Sequence, residues 1–140
     1  MKSCPFCNIV EDDDQQIVME THFLYFLQKQ SEQEVLTGSG VIIPKEHRQT
    51  LFELTDEEWQ ETFKLLHQVK GLLGEKWNPD GYNVGWNVFS SGGQSIAHAH
   101  LHIIPRFKDE PYAGKGMRYW IKQPKNRRYI QEVSRYEKSN

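Results

Sequence analysis

Three of the six histidines in this chain fall within five residues, at His98, His100 and His102 in the run Ile96-Ala-His-Ala-His-Leu-His-Ile-Ile104. Histidine alternates there with an apolar residue. On a strand spanning His98 to Ile104, alternation puts all three imidazoles on one face and turns Ala99, Leu101 and Ile103 toward a core. Same-face neighbours then sit about 6.6 Å apart, at a rise of roughly 3.3 Å per residue. Two adjacent imidazoles can share one ion, but the outer pair, about 13 Å apart by the same rise, cannot both make ligand bonds of about 2 Å. A metal site built from these three alone is thereby disfavoured. Three polar rings on one face are costly to bury as packing, so the pattern points to chemistry.

Directly before the histidines lies Ser90-Ser-Gly-Gly-Gln-Ser95. The glycines, Gly93 among them, let backbone N–H groups approach an anion and cradle phosphate oxygens. Asn87 on the preceding segment offers an amide donor to the same oxygens. A neutral imidazole is a competent nucleophile near neutral pH. Attack on phosphorus beside such a cradle would give a covalent phosphohistidine-type intermediate, resolved by water, with N–H groups stabilising the charge on the equatorial oxygens.

The second constellation is Cys4-Pro-Phe-Cys7. The pair reads as a redox couple, half of a zinc site, or two ordinary thiols. A redox couple should follow a strand and open a helix, whereas this pair stands ahead of the acidic stretch Glu11 to Asp14. Zinc needs two further ligands. His47 and His98 are the best candidates, since using His98 leaves His100 and His102 for chemistry.

These residues must be positioned by a single modest domain. The chain has 140 residues, 26% charged and 12% aromatic, which reads as a folded globular protein with a real core. Two cysteines are not a disulfide framework, no apolar run is long enough for a membrane span, and the start lacks the pattern of a secretory signal, so a reducing cytoplasm is expected. Net charge is −2, too balanced for a bulk polyanion binder. Residues 1–107 carry eight basic and fifteen acidic side chains, and residues 108–140 nine basic and four acidic. The basic, tyrosine-rich end reads either as a tail that holds a phosphate-bearing ligand or an acidic surface, or as a solvated face with a terminal helix.

Ile17 to Glu20 and His22 to Leu27 read as a strand pair, Gln28 to Thr37 as a loop, and Val41 to Pro44 as a third strand. Thr55 and Glu58 form a capping-box signature. Trp59, Phe63, Leu66, Val69, Leu73 and Trp77 then recur as one helical apolar stripe. Asn78 to Gly81 is a turn, Tyr82 to Phe89 an alternating strand, and His98 to Ile104 a last strand closed by Pro105. This order predicts an α+β fold, a mostly antiparallel sheet covered by one helix.

The histidine run, with Gly-Gly-Gln-Ser before it and Pro105-Arg106 after it, resembles the histidine triad (HIT) superfamily of nucleotide hydrolases and transferases. Val41-Ile-Ile-Pro-Lys-Glu-His47 resembles its upstream strand and histidine, and Asn87 stands where the family places an amide. The cysteine pair resembles the zinc-carrying branch, seen in many bacterial members. The resemblance covers roughly residues 4 to 107. It implies a five-stranded antiparallel sheet with one long helix, paired into a homodimer. Residues 1–107 would be the HIT domain, with 108–140 a basic aromatic extension packed on it.

His100 would be the nucleophile on the α-phosphate of a nucleoside phosphoramidate or dinucleoside polyphosphate, releasing a nucleoside monophosphate. His102 would contact the phosphate and assist the leaving group. His98, Cys4, Cys7 and His47 would hold a structural zinc. Asn87, Gln94 and Ser95 would bind phosphate or leaving group. No membrane or nucleic-acid partner is implied. Departures fall at Gln28, where the family commonly has an acid for the ribose hydroxyls, in a longer Lys29 to Thr37 loop, and at Gly38-Ser39. Two other readings are a zinc-stabilised nucleotide sensor with little turnover, and a hydrolase with zinc in the triad.

Overall fold

The computed structural model describes residues 4–129. The chain forms two compact units, residues 1–108 and 109–140. The first is built on strands β1 (Gln15–Glu20), β2 (Leu24–Lys29), β3 (Gly40–Pro44), β4 (Gly81–Trp86) and β5 (Leu101–Arg106), with the long helix α1 (Asp56–Trp77) between β3 and β4. The sheet is antiparallel throughout, in the order β1-β2-β3-β5-β4. The expected α+β architecture, a five-stranded antiparallel sheet with one long helix, is therefore the observed one.

Both sheet faces are covered. Leu24, Phe26, Ile42, Leu101 and Ile103 pack with Leu65, Val69 and Leu73 of α1. Leu27 and Ile43 pack with Cys4, Phe6 and Ile9 of the amino-terminal segment. Alternation along β2, β3 and β5 thus feeds two cores, one per face. Gly40 is required where β3 crosses β2, since a Cβ there would collide with the Leu27 carbonyl and the Phe26 ring.

Helix α1 starts at the expected capping box. Thr55 Oγ1 accepts from the Glu58 N–H at 3.1 Å, and Glu58 Oε1 accepts from the Thr55 N–H at 2.8 Å. The buried stripe differs from the expected one. Its inward line is Glu58, Thr62, Leu65, Val69 and Leu73, while Trp59 and Phe63 are 42% and 64% exposed. Val69 and Leu73 are buried as the stripe indicates, and at the first three positions the inward residue is one earlier, Glu58, Thr62 and Leu65 in place of Trp59, Phe63 and Leu66, a turn of about 100° of helix. The reason is Arg48, whose guanidinium bonds both Glu58 oxygens and lets that carboxylate be buried.

All five strands differ at their ends from the expected bounds, β1 beginning at Gln15 ahead of Ile17 and β3 at Gly40 ahead of Val41. β2 begins at Leu24, leaving His22 outside, and runs through Gln28 to Lys29. β4 stops at Trp86, short of Asn87 to Phe89. β5 begins only at Leu101 and continues through Pro105 to Arg106. β3 pairs with β5 only as far as Ile103, so a missing N–H at Pro105 leaves no β3 partner unsatisfied.

The second unit contains a five-residue helix, α2 (Met117–Ile121). Trp120 meets Tyr112 and Tyr119 edge-on, and the Lys115 ammonium lies over both tyrosine rings at 5.6 and 5.2 Å. The remainder of the expected tail, with Tyr136 and any terminal helix, lies outside the described residues. No helix among the described residues is long and apolar enough to cross a membrane.

Candidate functional site

The three histidines do not share a strand. His98 and His100 precede β5, and His102 lies within it. The Ala99 N–H bonds the Arg48 carbonyl at 2.7 Å, not a neighbouring strand, and the His98 N–H turns back to the Ile96 carbonyl at 2.8 Å. The segment is held by these bonds and by its own rings. Leu101 and Ile103 face the helix-side core as expected, and Ala99 is buried.

His98 is fully buried, and its Nε2 lies 2.8 Å from the Pro44 carbonyl. A carbonyl oxygen only accepts, so that nitrogen carries the proton and Nδ1 presents its lone pair. Nδ1 lies 3.4 Å from Cys4 Sγ, 3.6 Å from Cys7 Sγ and 3.2 Å from His47 Nδ1. Cys7 Sγ lies 3.2 Å from His47 Nδ1. All four donor atoms fall within 4.8 Å of one another. A tetrahedron with zinc-like bonds to sulfur and nitrogen has edges of about 3.3–3.8 Å. Four of the quartet's six separations, 3.2 to 3.6 Å, are close to those edges, so the residues named from sequence could hold one tetrahedral ion, with the His98 tautomer set by an outer carbonyl in the way metal-ligating histidines use.

The same logic fixes His100. Its Nδ1 lies 2.8 Å from the His98 carbonyl, so Nδ1 donates and the Nε2 lone pair is left for another atom. The ring is nearly buried and touches the His102 ring edge-on, centroids 4.8 Å apart. His102 Nε2 is buried without a hydrogen-bond partner among the described residues. Such an orphan is costly unless a ligand completes it. Burial pushes His98, His100 and His102 below the ordinary histidine value, against the Pro44 bond at His98 and the His98 bond at His100. Lowered in this way, each ring favours its neutral form, the one whose nitrogen lone pair can ligate or attack.

The loop from Asn87 to Ser95 starts opposite this segment, because Trp86 is paired with Leu101. Asn87 Nδ2 donates to the Gly93 carbonyl at 3.5 Å, and Gly93 has φ +95. The Gln94 amide is spent on the loop itself. It accepts from the Phe89 N–H at 2.8 Å and donates to the Gln49 and Ile96 carbonyls at 2.7 and 3.0 Å. Ser95 is exposed at the end of the loop.

Residues 10–109 match the HIT domain family. The chain belongs to the HIT family. Among its HIT relatives, "Adenosine 5'-monophosphoramidase hnt1" of Schizosaccharomyces pombe is 34% identical over 116 residues, 81% of this chain and 82% of the relative. "Protein hit" of Bacillus subtilis is 32% identical over 108 residues, 76% and 72%. A solved HIT family protein from Bacillus anthracis superposes with a TM-score of 0.72 at 26% identity, covering 98% of this chain and 94% of that one.

Four contributors to this HIT site gave no signal of their own in the sequence. Arg48 and Gln49 supply carbonyls to Ala99 and Gln94, and only the fold brings them there. Phe6, between the cysteines, packs on His98 and His100. Phe89 has φ 60 and ψ 169, a backbone region essentially reserved for glycine. The Gln94 side chain and the Gly92 and Gln94 N–H groups hold it there. Strain of that kind costs about 1–3 kcal/mol, and glycine returns roughly 0.5–1 kcal/mol of it through unfolded-chain entropy. Phe89→Gly is therefore expected to raise the melting temperature by about 2–4 °C. A lower melting temperature in calorimetry would mean that the exposed ring contributes more than its backbone costs.

Proposed function

We propose that this HIT protein is a nucleotide hydrolase or transferase acting at the α-phosphate of a nucleoside phosphoramidate or dinucleoside polyphosphate. The observation that carries the reading is the His100 Nδ1 bond to the His98 carbonyl, beside the orphaned Nε2 of His102. His100 Nε2 attacks phosphorus, the P–N bond to histidine forms, and the bond to the leaving group breaks. His102 meets the phosphoryl oxygens, whose negative charge favours its imidazolium form, and in that form hands the departing amine or phosphate its proton, taking one back from the water that resolves the intermediate. Asn87 and the N–H and hydroxyl of Ser95 meet the α-phosphate oxygens, and Gly93 and Gln94, whose N–H groups bond the Ser90 and Phe89 carbonyls, keep that loop in shape. Water then cleaves the P–N bond and releases the nucleoside monophosphate.

Cys4, Cys7, His47 and His98 form a closed Cys₂His₂ donor set, the composition of a structural zinc site with no position left for substrate. The relative named as an adenosine 5'-monophosphoramidase supports the substrate class. A homodimer accords with the free edge of β4 and with apolar side chains left exposed on α1 and β4, Trp59, Phe63 and Val84. The free thiols suit a reducing cytoplasm.

The test is release of AMP from an adenosine phosphoramidate and from a diadenosine polyphosphate. Intact mass would be read after an alkaline denaturing quench, which spares the P–N bond. Turnover with a transient mass gain of one nucleotidyl group is expected. No turnover of either substrate by a correctly folded, metal-loaded protein would overturn the reading.

A further inference from the structure

Phe6 is placed by the two residues that flank it. Cys4 and Cys7 contribute to the metal quartet, and the turn between them is closed by Cys7 N–H to Cys4 carbonyl at 3.2 Å. Asn8 Nδ2 donates to the same carbonyl at 3.0 Å. Phe6 itself is 5% exposed. Its ring meets the His100 ring edge-on, centroids 5.2 Å apart at 68°, and the His98 ring at 5.8 Å and 82°.

We propose that Phe6 is a positioning residue for His100: the metal-clipped turn seats an aromatic ring against the nucleophile and fixes the plane in which its Nε2 lone pair points. The inference rests on the reading of His100 given above and adds a residue to it.

One hydrogen bond holds the His100 ring by its Nδ1. A ring tethered at one atom can still tilt about that bond and swing its Nε2 off line. A tilt that moves the attacking atom by about 1 Å is enough to cost a large factor in rate. Phe6 on one contact and His102 on another leave the imidazole a single plane. A phenyl ring suits the task. It has an edge-to-face preference that resists sliding, it carries no polar atom to compete for Nε2, and it excludes water from the flank it covers. The Cys4-Pro-Phe-Cys7 motif then has two functions in four residues, ligating an ion and aiming the nucleophile. Removal of the ion would release the turn and with it the seat of the ring.

The test uses the full metal-loaded chain with Phe6→Leu, and Phe6→Ala as a second variant. Three quantities are read: metal content with melting temperature, the proton shifts of the His100 ring, and kcat and KM separately. Phe6→Leu is expected to keep its ion and to lose the ring-current shift on the His100 protons. Its kcat should fall about three- to tenfold, the range of an edge-to-face contact expressed in the transition state, with KM within about twofold. Chelation should move the same His100 resonances further in wild type than in Phe6→Leu, since the His98 carbonyl is disturbed in both and the seat of the ring only in wild type. An unchanged kcat in a metal-loaded variant would overturn the proposal. So would a loss of rate that only tracks the folded, metal-loaded fraction. If wild type turns over no substrate, the nucleophile reading fails instead, and unchanged His100 shifts in the variant would separately show that Phe6 does not seat the ring.

Discussion

His100→Asn is expected to fold, keep its ion and bind nucleotide, yet to turn over substrate at least about 10⁴-fold more slowly than wild type. The asparagine amide retains a donor for the His98 carbonyl that His100 now engages through Nδ1. It offers no nitrogen lone pair of comparable nucleophilicity. The phosphate loop, His102 and the neighbouring packing remain, so what is lost is the covalent step alone. The residual rate then reports direct attack by water on a phosphate held by the loop. His102→Asn should cost less, since it removes a proton carrier and a phosphate contact but leaves the attacking atom. Single-turnover kinetics with an alkaline quench separate the two: His100→Asn gives no nucleotidyl adduct, whereas His102→Asn gives one that forms slowly. A His100→Asn protein that keeps more than about one-hundredth of wild-type turnover would be incompatible with a covalent route through this residue.

The cysteine pair and the histidine run stood out in the sequence because each gathers a few rare residue types at short spacing. His98 could be divided from His100 and His102 by counting ligands, and the tetrahedral fit of Cys4, Cys7, His47 and His98 agrees with that division. The helix start at Thr55 and Glu58 was legible for the same reason, since a capping box lies within four residues. What could not be read depends on partners far away in sequence. β5 starts three residues later than the alternation indicates because the Ala99 N–H bonds the Arg48 carbonyl. The buried line of α1 is shifted only over its first turns, where Arg48 neutralises Glu58, while Val69 and Leu73 are buried as the stripe indicates. Alternation reports which side chains share a face on an element, but not where a long-range hydrogen bond ends that element. Phe89 is unreadable for another reason. Its residue type argues against its backbone conformation, and only the bonds from Gln94 and Gly92 reveal what holds it. Arg48 emerges as the common link: His47 beside it lies in the cysteine–histidine cluster, its own carbonyl holds the segment before His100, its guanidinium reaches the first turn of α1, and the Gln49 carbonyl after it holds the Asn87 to Ser95 loop through Gln94.

Stripping the ion is the second large effect. A chelator in excess is expected to lower the melting temperature by on the order of 10 °C. That figure follows from a free ion about a thousandfold above its Kd, which stabilises the folded state by roughly 4 kcal/mol, at a few °C per kcal/mol for a chain of this size. Cys7→Ser should lower metal content from one ion per chain toward none and melt at the chelated temperature, with or without chelator. The fold carries the reason for the size of the effect. Cys4 and Cys7 belong to the amino-terminal segment, His47 to the turn after β3, and His98 to the stretch before β5, so one ion held by them would join three parts of the chain. The position of His98 extends the effect to the chemistry, because the carbonyl of this ligand is the acceptor that sets the His100 tautomer. Stability and rate should therefore fall together as metal is withdrawn, and both should return on adding zinc. A zinc ion acting inside the triad predicts a different result, loss of turnover at an unchanged melting temperature. Calorimetry and turnover followed through one chelator titration distinguish the two. Coincident curves place the ion in the scaffold, and a rate that collapses while the melting temperature stands still would place it among His100 and His102.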